Sequence, residues 1–314
     1  MSLSIILGAI SQGLLWSILA IGVYITYRIL DYADLTTEGS FPLGAAVAAQ
    51  CILFGMNPFL ATFMAMCAGI LAGFVTAILH TKLKIPGLLS GILVMTGLYS
   101  VNLRIMGKAN LPLLKQTTVI STVAKTGVSN STAVMIVGII AVLIVIILLW
   151  AFFSTELGFA IRATGDNPKM ISALGVNTHN MIILGLVISN ALIALSGGLM
   201  AQFNGYADVG MGTGTIVIGL ASVIIGEVLF GRTSIIRSLL AVVLGSILYR
   251  IIIAFVLDKG LHPNDLKLLS SVLLTACLSL PIVKEKLFKT SLFGKNKTDK
   301  TNLKSDEQVG GANA

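Results

Sequence analysis

The sequence is poor in charged residues. Asp, Glu, Lys and Arg make up 11% of its 314 residues, against about 25% in soluble proteins. Hydrophobic residues make up 56% of the chain, and its mean hydropathy is +0.96. A soluble fold of this size could not hide that much apolar surface from water. The composition therefore excludes a soluble enzyme and predicts an all-α polytopic membrane protein.

Cysteine and histidine are also scarce, at three residues each. The six lie in separate parts of the chain: Cys51, Cys67, Cys277, His80, His179 and His262. Because no Cys-x-x-Cys spacing occurs, the sequence predicts neither a disulfide framework nor a zinc site. No nucleophile, base or metal-ligand set converges, so an intramembrane enzyme is the weakest interpretation, with no catalytic residue and no metal ligand to name.

Apolar runs long enough to cross a membrane recur along most of the chain, since a helix needs about 20 residues to span about 30 Å of hydrocarbon. Two shorter or Gly-interrupted runs, at about 41–54 and 213–230, each follow a polar, Gly-rich break, and we expect broken or half-depth helices there. The sequence thus predicts about nine helices. The seven clear runs are at about 5–27, 58–80, 85–105, 132–153, 181–203, 238–257 and 266–283.

The first run has no basic start and no small-residue cleavage site, so we expect a retained span and not a signal peptide. Lys and Arg in the connections predict the orientation, because positive residues are retained on the cytoplasmic side. With the C-terminal tail inside, the inner connections and the tail carry fourteen such residues and the outer connections six. The N-terminus is then predicted to lie outside.

Seven of those fourteen residues are lysines of the last segment, residues 284–314. We expect this polar segment to be a disordered cytoplasmic tail, and residues 1–283 to form a single transmembrane domain. A third of the chain's 21 basic residues lie in this tail, so the net charge of +8 predicts no nucleic-acid partner.

A short phrase occurs twice in the chain. Residues 32–35 read Tyr-Ala-Asp-Leu and residues 206–209 read Tyr-Ala-Asp-Val. Each copy ends an apolar helix, precedes a Thr/Gly-rich break and leads into a short helix, with Gly44 and Gly219 at similar places. Five predicted passes separate the copies, and an odd number inverts the second copy in the membrane. The predicted layout is two inverted four-helix repeats and one linking helix, at about 5–105, 181–283 and 132–153.

The connection at residues 154–180 is predicted to be cytoplasmic and is too long for a simple turn. Asp166 or Asn167 can cap a helix, Pro168 fits its first turn, and Gly175 ends it after two turns. Apolar residues along this helix predict that it docks on another surface.

This connection resembles the cytoplasmic loop of ABC importer permeases of the branched-chain amino acid and ribose type. Residues 158–168 read Gly-Phe-Ala-Ile-Arg-Ala-Thr-Gly-Asp-Asn-Pro and residues 173–176 read Ala-Leu-Gly-Val. Residues 34–40, Asp-Leu-Thr-Thr-Glu-Gly-Ser, are similar to a segment of the ribose-type members. The form with Thr-Thr-Glu departs from the ribose type and resembles a bacterial subgroup associated with tryptophan and tyrosine uptake.

The resemblance implies the permease subunit of an importer in the bacterial cell membrane, with a layout similar to that of vitamin B12 importer permeases. It implies a second permease copy in a homodimer, a separate ATPase subunit, and an extracytoplasmic substrate-binding protein or lipoprotein. Because the chain lacks a Gly-x-x-x-x-Gly-Lys-[Ser/Thr] loop, ATP and Mg are expected on the partner, with no cofactor on this chain. The residues implied in coupling to the ATPase are Gly158, Arg162, Gly165, Asp166, Asn167, Pro168, Leu174 and Gly175.

Charges inside a membrane cost about 2.5–3.5 kcal/mol each on insertion scales, so each needs an account. Asp34 and Glu38 either line a translocation path or cap the helix predicted at 41–54 and favour its dipole. The candidates for the path are the polar residues of both breaks: Asp34, Thr36, Thr37, Glu38, Ser40, Asp208 and Thr213.

Glu227 and Arg250 fall within the last helices, but Glu227 is about three residues from the inner end and Arg250 about twelve, or some 18 Å, so they are not expected to pair. We expect Arg250 to reach toward Asp258 or the outer face, or else to face a dimer interface or the path.

The solute is predicted to be an aromatic or branched-chain amino acid, with a sugar or nucleoside importer permease as the alternative. An ion-coupled secondary transporter is a further alternative, because inverted repeats and broken helices occur there too. The loop at 154–180 favours the ABC importer, since a secondary transporter needs no helix that fits an ATPase.

Overall fold

The computed structural model describes residues 3–125, 127–231, 233–260, 265, 268–276 and 279. Most of this part of the chain is helical. The helices are α1 Leu3–Tyr24, α2 Thr37–Leu53, α3 Pro58–Thr81, α4 Gly87–Met106, α5 Val119–Ala124, α6 Asn130–Phe153, α7 Glu156–Asp166, α8 Pro168–Ala173, α9 Thr178–Asn204, α10 Thr215–Phe230 and α11 Ile235–Asp258.

Four short elements lie between these helices. A π-helical turn, Ile25–Ile29, continues α1, and a 3₁₀ turn, Val209–Gly212, precedes α10. Strands β1 Asn110–Pro112 and β2 Tyr206–Asp208 pair in an antiparallel ladder.

Seven helical stretches among the described residues are long and apolar enough to cross a membrane, which makes the protein a multi-pass membrane protein. They include Val209–Phe230, for which the sequence predicted only a short helix. Of the span predicted at 266–283, residues 268–276 and 279 are described and are helical. The total of nine helices stays a prediction. The seven stretches are Ile5–Ile29, Pro58–Thr81, Gly87–Met106, Asn130–Phe153, Thr178–Asn204, Val209–Phe230 and Ile235–Asp258.

Local signals explain where several helices begin and end. The Asn57 side chain accepts a hydrogen bond from the backbone of α3 and Pro58 follows at the first helical position, as at many helix starts. The Ser129 side chain caps α6 in the same way. α4 and α9 end at Gly107 and Gly205, which adopt the left-handed conformation that glycine takes at little steric cost.

The bundle has two opposite ends, because α9 runs from the end of α8 to the start of β2. The end that carries α7 and α8 is named the α7–α8 face, and the end that carries β1 and β2 is named the β-ladder face. The end of α1 lies at the α7–α8 face, since Gly165 of α7 packs against the carbonyl oxygen of Ile29.

Helix packing is dense where small residues let backbones approach. α9 packs along α2 and α3, and α1 packs along α10 and α11. A Cβ on Gly44 of α2 would collide with the backbone of Ala194 in α9, and one on Gly69 of α3 would collide with the carbonyl oxygen of Asn190. Such close crossings are how membrane helices gain packing energy without a hydrophobic driving force. They also fix the position of α2 inside the bundle.

Candidate functional site

The first break, which leads from α1 to α2, re-enters the bundle along α4. The Tyr32 hydroxyl donates to the carbonyl oxygen of Gly87 at 3.0 Å, and burial raises the pKa of Tyr32 to about 12. Farther along, a Cβ at Gly39 would lie 3.0 Å from the Cα of Met95. Met95 is eight residues beyond Gly87, or about 12 Å along the helix. α2 therefore begins inside the bundle and not at the α7–α8 face.

A buried carboxylate organises this start of α2. Asp34 is 2% exposed, and its Oδ1 accepts a hydrogen bond from the backbone nitrogen of Thr36 at 2.9 Å. Its Oδ2 accepts one from Asn190 Nδ2 at 2.8 Å. The Ser40 hydroxyl donates in turn to Asn190 Oδ1 at 2.7 Å. These bonds join the beginning of α2 to the middle of α9.

Two threonines extend the same set of contacts. The Thr37 hydroxyl donates to the Asp34 carbonyl oxygen at 2.9 Å, and the Thr36 hydroxyl lies 2.8 Å from that of Thr76 in α3. All of these side chains are buried. We name the set the Asp34 network; its members are Asp34, Thr36, Thr37, Ser40, Thr76 and Asn190.

The second break enters the bundle from the β-ladder face. Asp208 stays in the ladder, where its Oδ2 accepts from Asn110 Nδ2 at 3.2 Å and its Oδ1 accepts from the Gly210 nitrogen at 2.7 Å. Beyond the 3₁₀ turn, the Thr215 hydroxyl donates to the Gly212 carbonyl oxygen at 2.8 Å and helps to begin α10.

The two breaks meet inside the bundle through Glu38. Its Oε1 accepts a hydrogen bond from the Gly214 nitrogen at 2.9 Å, and Gly212 packs against its carbonyl oxygen. Gly214 is the residue that precedes α10, so the carboxylate lies at the positive end of that helix dipole. Thr213 is exposed beside this contact. The N-termini of α2 and α10 therefore lie together.

The structure shows what both acids bind. Asp34 accepts a backbone N–H at the start of α2, and Glu38 accepts one at the start of α10. α2 begins at Thr37, four residues before the predicted start, so Glu38 lies in its first turn and not ahead of it. The early start follows from the Asp34 network, which holds the preceding turn. Whether the seven candidate residues line a path stays a prediction.

The two charged residues of the last helices have separate contacts. Glu227 pairs with Arg28, with 3.0 Å between Oε1 and Nε. Arg250 lies over Trp16, with 4.3 Å between its guanidinium carbon and the ring centroid. It thus turns into the bundle and not toward Asp258 or the outer face, the first of the two directions predicted from the sequence; whether it faces a dimer interface or the path stays a prediction. Side chains lean toward the N-terminus of their own helix, which explains this direction.

At the α7–α8 face, α7 is seated on the bundle. The Thr155 side chain accepts from the Gly158 nitrogen at 3.3 Å and begins the helix. Ile161 is fully buried, Gly158 packs against the backbone of α6, and Gly165 packs against Ile29. The sequence-based interpretation did not predict α7, although the Thr155 cap followed by Glu156 is a sequence signal for a helix start.

The short helix α8 follows as the sequence predicted. Asn167 caps it by accepting from the Met170 nitrogen at 3.1 Å, and Pro168 occupies its first position. Asp166 does not cap α8 because it is the last residue of α7. Gly175 follows the helix with φ +86°, the conformation that favours glycine.

The exposed side of the α7–α8 face combines apolar and basic groups. Met170 is 50% and Leu174 72% exposed, whereas Ile171 of the same segment is buried. Arg162 is exposed and lines a polar cavity of about 300 Å³ between α1, α7 and α11, together with Arg28 and hydroxyl groups. The cavity lies beside α7.

Residues 5–278 match the family model described as the permease component of a branched-chain amino acid transport system. The chain belongs to this permease family. It is 45% identical over 286 residues to a tyrosine transport system permease protein of Clostridioides difficile, covering 91% of this chain and 94% of that protein. It is 36% identical over 281 residues to the protein RP368 of Rickettsia prowazekii, covering 88% and 98%.

Two more distant similarities are also found. The permease is 25% identical to the nucleoside ABC transporter permease NupC of Lactococcus lactis over 62% of this chain and 64% of that protein. A solved metal-chelate type ABC transporter in an inward-facing conformation shares 13% identity, with a TM-score of 0.48 over 89% of this chain and 85% of that one.

The family confirms the resemblance predicted from residues 154–180: this permease is the membrane-spanning subunit of an ABC transporter. An ABC transporter permease implies an ATPase subunit and a substrate-binding protein as partners. Among the described residues, no group of His, Cys, Asp and Glu could hold a metal ion. Cys277 and His262 lie outside that part of the chain.

Proposed function

We propose that this permease forms the translocation path of an importer for an aromatic or branched-chain amino acid, with tyrosine as the first solute to test. The proposal is supported by the 45% identity to a permease named for tyrosine transport. A nucleoside or sugar is the second candidate, and it draws only on a relative at 25% identity. The permease is proposed to lie in the bacterial cell membrane, with its N-terminus outside and its C-terminus in the cytoplasm.

The α7–α8 segment is proposed as the dock for the ATPase, and this surface is the observation that carries the mechanism. Met170 and Leu174 expose apolar side chains at the end of the bundle, on a helix that is capped at one end and stopped by glycine at the other. Through Gly165, α7 is packed directly on the end of α1. A movement of the ATPase would then reach the membrane helices through backbone contacts.

Transport itself gives the first test. We consider proteoliposomes that contain the permease, its ATPase and its binding protein. L-tyrosine uptake is expected to require ATP on the side of the membrane where the ATPase lies. Changing both Met170 and Leu174 to Asp is expected to lower uptake and ATPase binding at least about tenfold, because two apolar anchors are replaced by charges. Uptake and ATPase pull-down measure the two effects.

The control is Leu114→Asp, which changes a leucine that is 77% exposed at the β-ladder face and should leave ATPase binding intact. Uptake that runs on an ion gradient without ATP would instead favour a secondary transporter. Uptake of ribose or a nucleoside in place of L-tyrosine would favour the second candidate.

An inverted repeat is proposed for the membrane domain, with a layout like that of vitamin B12 importer permeases. Gly44 of α2 packs against Ala194 of α9, and Gly219 of α10 packs against Leu19 of α1. The same offset of 175 residues separates Gly44 from Gly219 and Leu19 from Ala194. The first helix of each proposed repeat thus packs on the second helix of the other, as two repeats related by a two-fold axis require.

A homodimer is proposed from the exposed side of α4. Of the seven spans, α4 has the smallest buried share, 22%. Thr96, Ser100 and Arg104 are all exposed and, at spacings of four residues, share one side of this helix. Polar groups of this kind face protein or water within a membrane and not lipid. A second permease copy, separated from the first by a water-filled path, would provide both protein and water as surroundings for these side chains.

Cross-linking tests the homodimer. In a background with its cysteines replaced by alanine, Ser100→Cys is expected to give a covalent dimer with a bifunctional reagent in native membranes. Leu148→Cys, on the apolar side of α6 where Leu148 is 64% exposed, is the control and should stay monomeric on the gel. Dimer formation only through Leu148 would contradict the proposed interface.

A further inference from the structure

Arg250 is a cation inside a membrane-spanning helix, and no acidic residue in the described part of the chain pairs with it. It lies fifteen residues beyond Ile235, or about 22 Å into α11 from the α7–α8 face. Its Nε is buried without a hydrogen-bond partner, and no carboxylate of the described residues forms an ion pair with it.

The Trp16 ring covers the guanidinium of Arg250 on one side. α1 and α11 run in opposite directions, so Trp16 and Arg250 lean toward each other, and the guanidinium carbon lies 4.3 Å from the Trp16 ring centroid. Trp16 stacks in turn on Phe41 of α2, with centroids 5.2 Å apart and the planes 25° apart. The indole Nε1 of Trp16 is also buried, and it has no hydrogen-bond partner among the residues that the structure describes.

Among the described residues, these contacts leave the positive charge of Arg250 unpaired and leave two donors, Arg250 Nε and Trp16 Nε1, without acceptors. A cation over an indole ring gains about 2 kcal/mol when desolvated, which is less than an unpaired buried charge costs. A guanidinium is built to bind a carboxylate through two parallel hydrogen bonds. An anion with two acceptor oxygens beside an aromatic wall would therefore complete the site.

We propose that Arg250 is an intramembrane subsite for the carboxylate of the transported amino acid, with the Trp16 Nε1 as a further donor and Trp16 and Phe41 as its aromatic wall. The inference rests on the proposed function, because it takes an amino acid as the solute. It assigns to the membrane domain a selectivity for the carboxylate that adds to the selectivity of the binding protein.

Trp16 itself reports on this subsite. The chain has two tryptophans, so Trp150→Phe leaves Trp16 alone. The full-length permease with this change, in nanodiscs, is titrated with L-tyrosine and L-leucine and with the matching amines that lack the carboxylate, tyramine and isopentylamine. We expect saturable changes in Trp16 fluorescence with the amino acids only. Arg250→Met is expected to weaken the response at least about tenfold, and Arg250→Lys less, since a hydrogen bond to a charged group is lost.

Arg237→Met is the matched control, because it removes an exposed arginine from the first turn of the same helix. An equal response to amines and amino acids, an unchanged response in Arg250→Met, or no response to either amino acid would overturn the subsite. A different result would contradict the proposed function itself: the absence of ATP-driven amino acid uptake by the unaltered complex in proteoliposomes. Normal uptake with Arg250→Met would reject the subsite and leave the importer standing.

Discussion

Replacing Asn190 by Leu is expected to destabilise the permease by about 2–4 kcal/mol. Asn190 donates to Asp34 and accepts from Ser40, so its loss leaves a buried carboxylate with one donor fewer and a buried hydroxyl with no acceptor. Unsatisfied buried groups cost their full desolvation, which exceeds the apolar contacts that Leu gains. The midpoint of unfolding in mixed detergent measures the effect.

The matched control is Asn102→Leu. Asn102 is equally buried, but its described contact is a single 3.3 Å bond to the Gly39 carbonyl oxygen, and its Oδ1 has no partner. The same substitution should therefore cost much less there. If the variant at position 102 were the less stable of the two, the Asp34 network would not be what holds the start of α2.

A double change sharpens this result. Asp34→Leu combined with Asn190→Leu removes both partners of the 2.8 Å bond, so the pair should cost less than the two single changes added together. We expect the double-mutant cycle to give an interaction energy between Asp34 and Asn190 of at least about 1 kcal/mol. Strict additivity would show that the two side chains act independently.

Gly165→Ala is expected to separate ATP hydrolysis from uptake. The added methyl group would collide with the Ile29 carbonyl oxygen. Because the methyl group is fixed to the Cα of residue 165 and the oxygen belongs to the backbone, α7 must move off the end of α1. Uptake in proteoliposomes should fall at least about tenfold, since a misplaced contact of about 1 Å can cost 100-fold in a coupled step. ATP hydrolysis should continue, because the ATPase is a separate chain.

The control for this change is Gly8→Ala in α1, where nothing lies within 4 Å of the added atom. It changes the same residue type in a helix and should transport at the normal rate. Normal uptake by Gly165→Ala would show that the contact between α7 and α1 does not carry the coupling.

Parts of the site followed from the sequence because they depend on neighbouring residues alone. The cap by Asn167, the position of Pro168 and the stop at Gly175 are local, and all three occur as predicted. The start of α2 was predicted too late, because the turn before it is held by Asn190, which is far away in sequence. Arg28 and Glu227 form an ion pair across 199 positions, and no local pattern could predict it.

The amino-acid sequence by itself determined that this is a helical membrane protein of the ABC permease family, because composition, apolar run length and short motifs need no knowledge of distant neighbours. Only the tertiary structure decided what each polar group binds. It placed Glu38 at the start of α10, Asp34 against Asn190 and Arg250 over Trp16. In a low-dielectric interior the partner of a polar group is set by which helices cross beside it, and those crossings depend on close packing at residues far apart in the chain.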